Sequence, residues 1–202
     1  MRIIGITGPS GAGKSYLSEF LRKKNIPVVD ADETYHSLLV PPSSCLDAIK
    51  DVFGDGVINS DGSLDRKALS AVVFGSEEKL ALLNKTVLGF VIDKIKEILG
   101  EYERAGHSIG CVDAPTLIES GFYAECDRVI SVISDKETRV SRIMARDGIS
   151  IEAARARVDA QCDDGFYTRL SHTVIENNGD ASEFEKKCEE LYLILTDNEE
   201  DE

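Results

Sequence analysis

The chain has 202 residues, with 37 Asp and Glu against 23 Lys and Arg, a formal net charge of -14. That length suits one domain with room for an elaborated subdomain, and 42% hydrophobic residues exclude global disorder. The acidity excludes a generic nucleic-acid or anionic-membrane binder, because like charges repel at long range. Asp197, Glu199, Glu200, Asp201 and Glu202 crowd the C-terminus, so 196–202 reads as a disordered acidic tail on a body that is acidic too. No apolar run approaches the roughly 20 residues of a membrane span, and the N-terminus lacks a signal peptide's apolar region. Cys45, Cys111, Cys126, Cys162 and Cys188 never form a Cys-x-x-Cys. They read as scattered, buried thiols of a reduced cytoplasmic protein, with neither a disulfide frame nor a structural metal.

Five short Ile/Val-rich runs mark strands: Ile3–Ile6, Ile26–Val29, Ile109–Val112, Val129–Ile133 and Thr173–Ile175. Most are continuous rather than alternating, as in a parallel sheet covered on both faces. After the first run, Tyr16, Leu17, Phe20 and Leu21 form one apolar helical stripe. Arg22, Lys23 and Lys24 close that helix where cations suit its dipole. The interval from Asp32 to Gly106 is longer than a crossover needs. It carries turns at Gly54-Asp55-Gly56 and Ser60–Ser63, then a long amphipathic helix from Leu80 to Leu99 with Ser76 as N-cap. A second helical pair is expected from Glu137 to Arg146 and from Ile151 to about Asp163. It hinges at Asp147-Gly148, with Ser134 and Glu137 at capping-box spacing.

The strongest motif is Gly8-Pro9-Ser10-Gly11-Ala12-Gly13-Lys14-Ser15, a complete G-x-x-x-x-G-K-[ST] between a strand and a helix. Glycines let the backbone wrap a polyphosphate with its N–H groups inward, and the helix adds its positive N-terminal dipole. Lys14 reaches the β/γ-phosphates, and the Ser15 hydroxyl ligates Mg²⁺. Gly8, Gly11, Ala12, Gly13, Lys14, Ser15 and the adjoining Tyr16 are therefore the expected contacts of ATP.

Asp30-Ala31-Asp32 falls at the carboxyl end of the second strand, where ligands of open α/β sheets gather. One carboxylate suits an N-cap, and Asp32 suits proton abstraction from an attacking hydroxyl. Asp113, ending the third strand, has the placement of a Mg²⁺-supporting acid and equally that of a strand-end turn residue. Arg139, Arg142 and Arg146 share one helix face, suited to neutralising transferring phosphoryl charge. For Arg139 the expectation is surface salt-bridging, and Arg155 and Arg157 read as solvated. His36, His107 and His172 form no local cluster.

Together these residues resemble the dephospho-CoA kinase family from about Ile3 to Gly179. The P-loop comes first, then Ile26-Pro27-Val28-Val29-Asp30-Ala31-Asp32, Asp61-Gly62-Ser63-Leu64-Asp65-Arg66 and Leu83-Asn84. Asp113-x-Pro115-x-Leu117-x-Glu119, Arg142, Arg146, Gln161 and Val174-Ile175-Glu176-Asn177-Asn178-Gly179 follow in order. The resemblance implies a P-loop NTPase α/β/α fold with a five-stranded parallel sheet, a helical substrate-binding insertion and a helical lid. The implied core is 1–32, 107–136 and 171–195, with the insertion at 33–106 and the lid at 137–170.

The implied reaction transfers the γ-phosphate of ATP, with Mg²⁺, to the ribose 3′-hydroxyl of dephospho-CoA. Asp32 would be the base, Lys14 and Arg142 would stabilise the phosphoryl, Arg146 and Asn177 would serve ATP (Asn177 near adenine), and Arg66 the acceptor. No nucleic-acid or membrane partner is expected, and the protein is expected to be a monomer or weak homo-oligomer. Departures from the family pattern are Leu88-Gly89, Thr116, Ser171-His172, and Tyr167 where a basic residue is usual, with Arg169 as the candidate to substitute for it. The rivals are a P-loop kinase of another small metabolite (a nucleoside, a nucleoside monophosphate or a shikimate-like acceptor) and a non-catalytic nucleotide-binding regulator.

Overall fold

The computed structural model describes residues 1–197. Five strands form one sheet in the order β2-β3-β1-β4-β5. They are β1 (Arg2–Thr7), β2 (Val28–Asp30), β3 (Ile109–Asp113), β4 (Arg128–Ile133) and β5 (Thr173–Glu176). β1 pairs parallel to β3, with Ile4 opposite Cys111, and parallel to β4, with Ile6 opposite Ile130. β4 pairs parallel to β5, with Val132 opposite Ile175. The fold is the expected α/β class. β2 starts two residues later than its apolar run, after Pro27, which has no N–H to donate to a ladder. β5 is an edge strand, and Val174 is 42% exposed there, so this run is not covered on both faces.

The chain makes two compact units, one of Met1–Val28 with the residues from Ala105 onward, the other of Val29–Arg104. In the first, α1 (Lys14–Lys23) and α9 (Ala181–Thr196) contribute Leu17, Leu21, Cys188, Leu191 and Leu195 to a core with Ile4, Ile6, Ile130 and Val132. α1 ends on Arg22 and Lys23, as the dipole argument requires.

The second unit holds α2 (Ala31–Ser37), α3 (Ser44–Phe53), α4 (Arg66–Val73) and α5 (Glu77–Arg104). Its helix starts are capped by side chains of Asp30, Ser43, Asp65 and, by a bond from Lys79 N, Ser76. Leu46, Ile49, Val57, Leu69 and Val87 close its own core. Gly54 caps α3, and the Asp61-Gly62 turn brings Ile58 opposite Leu64.

α6 (Lys136–Asp147) and α7 (Ile151–Asp159) form the hairpin, reversing at Gly148 with φ 65°. Val140, Ile143, Ala154 and Val158 bury its seam. Ser134 does not cap α6: Asp135 occupies the N-cap position, and the Ser134 hydroxyl donates instead to Asn177 O at 2.7 Å. A buried carbonyl, which water does not serve, outweighs a helix end that solvent satisfies. α7 stops at Asp159, and a separate short α8 (Asp164–Thr168) follows.

Of the expected tail, Thr196 is helical and Asp197 is the α9 C-cap; 198–202 lie outside the described residues. Cys45, Cys111 and Cys188 are buried, but Cys126 is only half-buried and Cys162 is exposed. No helix among the described residues is long and apolar enough to cross a membrane. Leu17 is fully buried directly behind the loop that opens α1, so Leu17→Ala should lower unfolding free energy by about 2–5 kcal/mol in urea titrations.

Candidate active site

The glycine-rich loop joins β1 to α1, and three glycines hold positive φ: Gly8 at 136°, Gly11 at 80° and Gly13 at 115°. Space as well as torsion demands glycine. A Cβ on Gly8 would strike Val132 O, one on Gly13 would strike Asn177 Nδ2, and one on Gly11 would lie 2.9 Å from Arg139 O. Gly13 is the N-cap of α1 and contributes no side-chain cap, so the first N–H groups of the helix are left to a ligand.

Lys14 is 9% exposed, and its ammonium donates to Gly8 O at 2.8 Å and Pro9 O at 3.4 Å. Ser15 is exposed at the start of α1. The Tyr16 ring packs on Phe184 with centroids 5.4 Å apart, holding α1 against α9. Asp113 is 5% exposed at the end of β3, and the Ser18 hydroxyl donates to its Oδ2 at 2.7 Å. The buried acid is thus oriented from α1, one turn beyond Ser15. Sequence patterning singled out Asp113 but not Ser18.

The loop's outward-turned carbonyls are braced from behind. Asn177, just past β5 and 6% exposed, donates from Nδ2 to Ala12 O at 2.8 Å. Arg142 donates to Asn177 O at 3.0 Å and to Asn177 Oδ1 at 3.1 Å, with longer contacts to Gly11 O and Ala12 O. Partial burial pulls the Arg142 guanidinium below its ordinary value.

Arg146 reaches Ser10 Oγ at 3.5 Å and is held by Asp147 at 2.7 Å. That bond, supported by a second one from Arg157, keeps the Asp147 carboxyl below the usual range. Gln161 accepts from Ser10 N at 3.1 Å. All three α6 arginines therefore meet loop residues 10–12. Arg139 overturns its expectation: it is 2% exposed, not at the surface, and its Nε and Nη1 meet no partner among the described residues. Arg155 and Arg157 are solvent-exposed and paired, to Glu137 and Asp147.

In the other unit, Asp30 caps α2 by accepting from Asp32 N and Glu33 N, both at 2.9 Å. The capping role falls to Asp30, which leaves the exposed Asp32 carboxylate outside the cap. Asp32 and His36 are one turn apart on α2, and Arg66 lies 3.4 Å from His36 Nδ1. His36 was invisible to local spacing, since its neighbour is 30 residues away. Among the described residues no three His, Cys, Asp or Glu side chains cluster as a metal cage. Asn177→Ala should remove the 2.8 Å donor of Ala12 O, leaving only the long contact from Arg142, and take from Arg142 Nη2 its side-chain acceptor in the buried brace. The expected loss is about 1–3 kcal/mol of stability, measured by chemical denaturation.

The dephospho-CoA kinase family model (CoaE) matches residues 2–183. The chain is 38% identical over 179 residues to the dephospho-CoA kinase of Symbiobacterium thermophilum, covering 89% of this chain and 75% of that one. The solved dephospho-CoA kinase from Campylobacter jejuni superposes with a TM-score of 0.73 at 26% identity, covering 98% of this chain and all of the other (100%). Shikimate kinase from Acinetobacter baumannii, at 14% identity and a TM-score of 0.54 over 98% of this chain and 94% of its own, shares the fold alone. The matched span takes in the glycine-rich loop, the α6 arginines and the Asn177 brace, and the chain belongs to the dephospho-CoA kinase family.

Proposed function

We propose that Asp32 is the general base and that Lys14 and Arg142 carry phosphoryl charge in a reaction this chain shares with its family. That reaction is the ATP-dependent phosphorylation of dephospho-CoA in coenzyme A biosynthesis. Its acceptor is the ribose 3′-hydroxyl. The observation that carries the reading is the row of α6 arginines along loop residues 10–12, with the first N–H groups of α1 left open beside it. Phosphoryl transfer needs little covalent help from protein; positioning and charge compensation do the work.

Lys14 and Arg142 now donate to carbonyls of the loop itself. Phosphate oxygens are stronger acceptors than amide carbonyls, so an entering polyphosphate exchanges one set of bonds for a better one. The donors for a cation fit Mg²⁺. Ser15 offers a hydroxyl and Asp113 an oriented carboxylate, and Mg²⁺ characteristically uses one or two protein oxygens plus phosphates and water. Bound there, the ion would neutralise charge on the phosphates. Arg66, next to His36 on the face of α2 that carries Asp32, is assigned to the acceptor's anionic groups.

Asp32 is spared from helix capping, which suits a carboxylate that must take up a proton from an attacking hydroxyl. Asp32→Asn should cut turnover by roughly 10²–10⁴ while the dissociation constant for ATP stays within error. Unchanged turnover removes the base assignment. A side-by-side assay with dephospho-CoA, shikimate, uridine and GMP tests the acceptor: phosphorylation of dephospho-CoA alone is expected, and activity only on another acceptor overturns it.

A further inference from the structure

We propose that Arg139, unpaired and buried on the helix turn that packs against the glycine-rich loop, binds the phosphate chain of the nucleotide directly. The inference rests on the reading of that loop as the ATP site and adds a residue to it. The side chain is 2% exposed, and its Nε and Nη1 have no hydrogen-bond partner. An arginine stays charged in a protein interior, and an uncompensated buried charge is among the costlier features a fold can carry. Retaining one points to a partner that arrives from outside.

The location says what kind of partner. Arg139 lies in the first turns of α6, and Gly11 packs on its backbone so closely that a Cβ there would come within 2.9–3.2 Å of Arg139 atoms. The loop segment packed on this turn of α6 is the segment whose N–H groups wrap a polyphosphate. One and two turns further along the same face, Arg142 and Arg146 reach Gly11, Ala12 and Ser10. Arg142 is satisfied by carbonyls and Arg146 by Asp147, which leaves Arg139 with the open donor edge.

Tyr167, itself buried, lies within electrostatic range of Arg139. Burial pushes the phenol up to about 12, Glu119 adds to that, and Arg139 opposes it. Entry of the phosphates rearranges the loop, uncovers Nε and Nη1, and gives them a bidentate anion of the geometry a guanidinium fork prefers.

The test uses the full-length chain and three variants, Arg139→Met, Arg139→Lys and Tyr167→Phe, with ADP and dephospho-CoA titrated separately by calorimetry and thermal melts run without ligand. For Arg139→Met the dissociation constant for ADP should rise about 10- to 100-fold. The ligand-free melting temperature should hold or increase, since a buried unpaired charge has been removed. Arg139→Lys, which keeps the charge without the fork, should recover part of the ADP affinity. Tyr167→Phe should leave ADP affinity as it is.

A structural role for Arg139 would show as a lower ligand-free melting temperature, or failure to fold, with ADP affinity intact; either overturns the proposal. So does a loss confined to dephospho-CoA, or no change in any measurement. Wild-type turnover of dephospho-CoA tests the underlying function independently of these binding experiments.

Discussion

A loop whose N–H groups all face a ligand turns its carbonyls the other way, into the protein, where each needs a donor. That requirement organises the first unit. Ala12 O is met by Asn177 Nδ2, Gly8 O and Pro9 O by Lys14, and Gly11 O by Arg142. Asn177 in turn is fixed by Ser134 at the end of β4 and by Arg142 from α6. The ends of β4 and β5 and the start of the hairpin are therefore tied to the loop through a buried polar network. Such networks specify one arrangement because every member left unpaired is expensive.

The same accounting explains what sequence could and could not reveal. Ile/Val-rich runs locate all five strands; in the central strands β3, β1 and β4 burial on two faces leaves no polar alternation to confuse them, while the edge strand β5 is marked by its β-branched residues alone. The loop is legible because torsion and close approach demand glycine at Gly8, Gly11 and Gly13. Ser134 misleads because S-x-x-E spacing reports only the local option, and the Asn177 carbonyl 43 residues away makes a stronger claim on the hydroxyl. Arg139 misleads for a related reason. Helical spacing puts three arginines on one face but cannot say that Gly11, a residue without a side chain, will close over one of them. Arg66 and His36 meet only through tertiary packing within their own unit. The split between Asp30 as cap and Asp32 as free carboxylate was open in sequence, and the two bonds to Asp30 Oδ1 assign the cap.

Net charge is a poor guide to a ligand when cations are this unevenly placed. The chain carries 37 acids and a formal charge of -14, yet its ligands are polyanions. Two acids of the hairpin pair away from the loop, Asp159 with Lys136 at 3.1 Å and Glu137 with Arg155 at 3.0 Å, all on exposed side chains, whereas Asp147 pairs with Arg146 at 2.7 Å. Exposed pairs of this kind contribute little stability. What they do is occupy Glu137 and Asp159, so that along the face of α6 that meets the loop only Arg146 is paired with a carboxylate.

Along that face the arginines are graded by partner. Arg146 is bound to a carboxylate, Arg142 to carbonyls, and Arg139's Nε and Nη1 to nothing. A carboxylate cancels the charge of the guanidinium it binds. A carbonyl satisfies the N–H groups but leaves the charge standing, and a missing partner leaves both the charge and the donors available. The attraction felt by an incoming phosphate therefore rises from the rim of the hairpin, at Arg146, toward Gly11. Low-dielectric surroundings strengthen that attraction as they raise the cost of keeping the charge unpaired. An acidic protein can hold a polyanion in this way because its few buried cations are the ones from which compensating acids have been withheld.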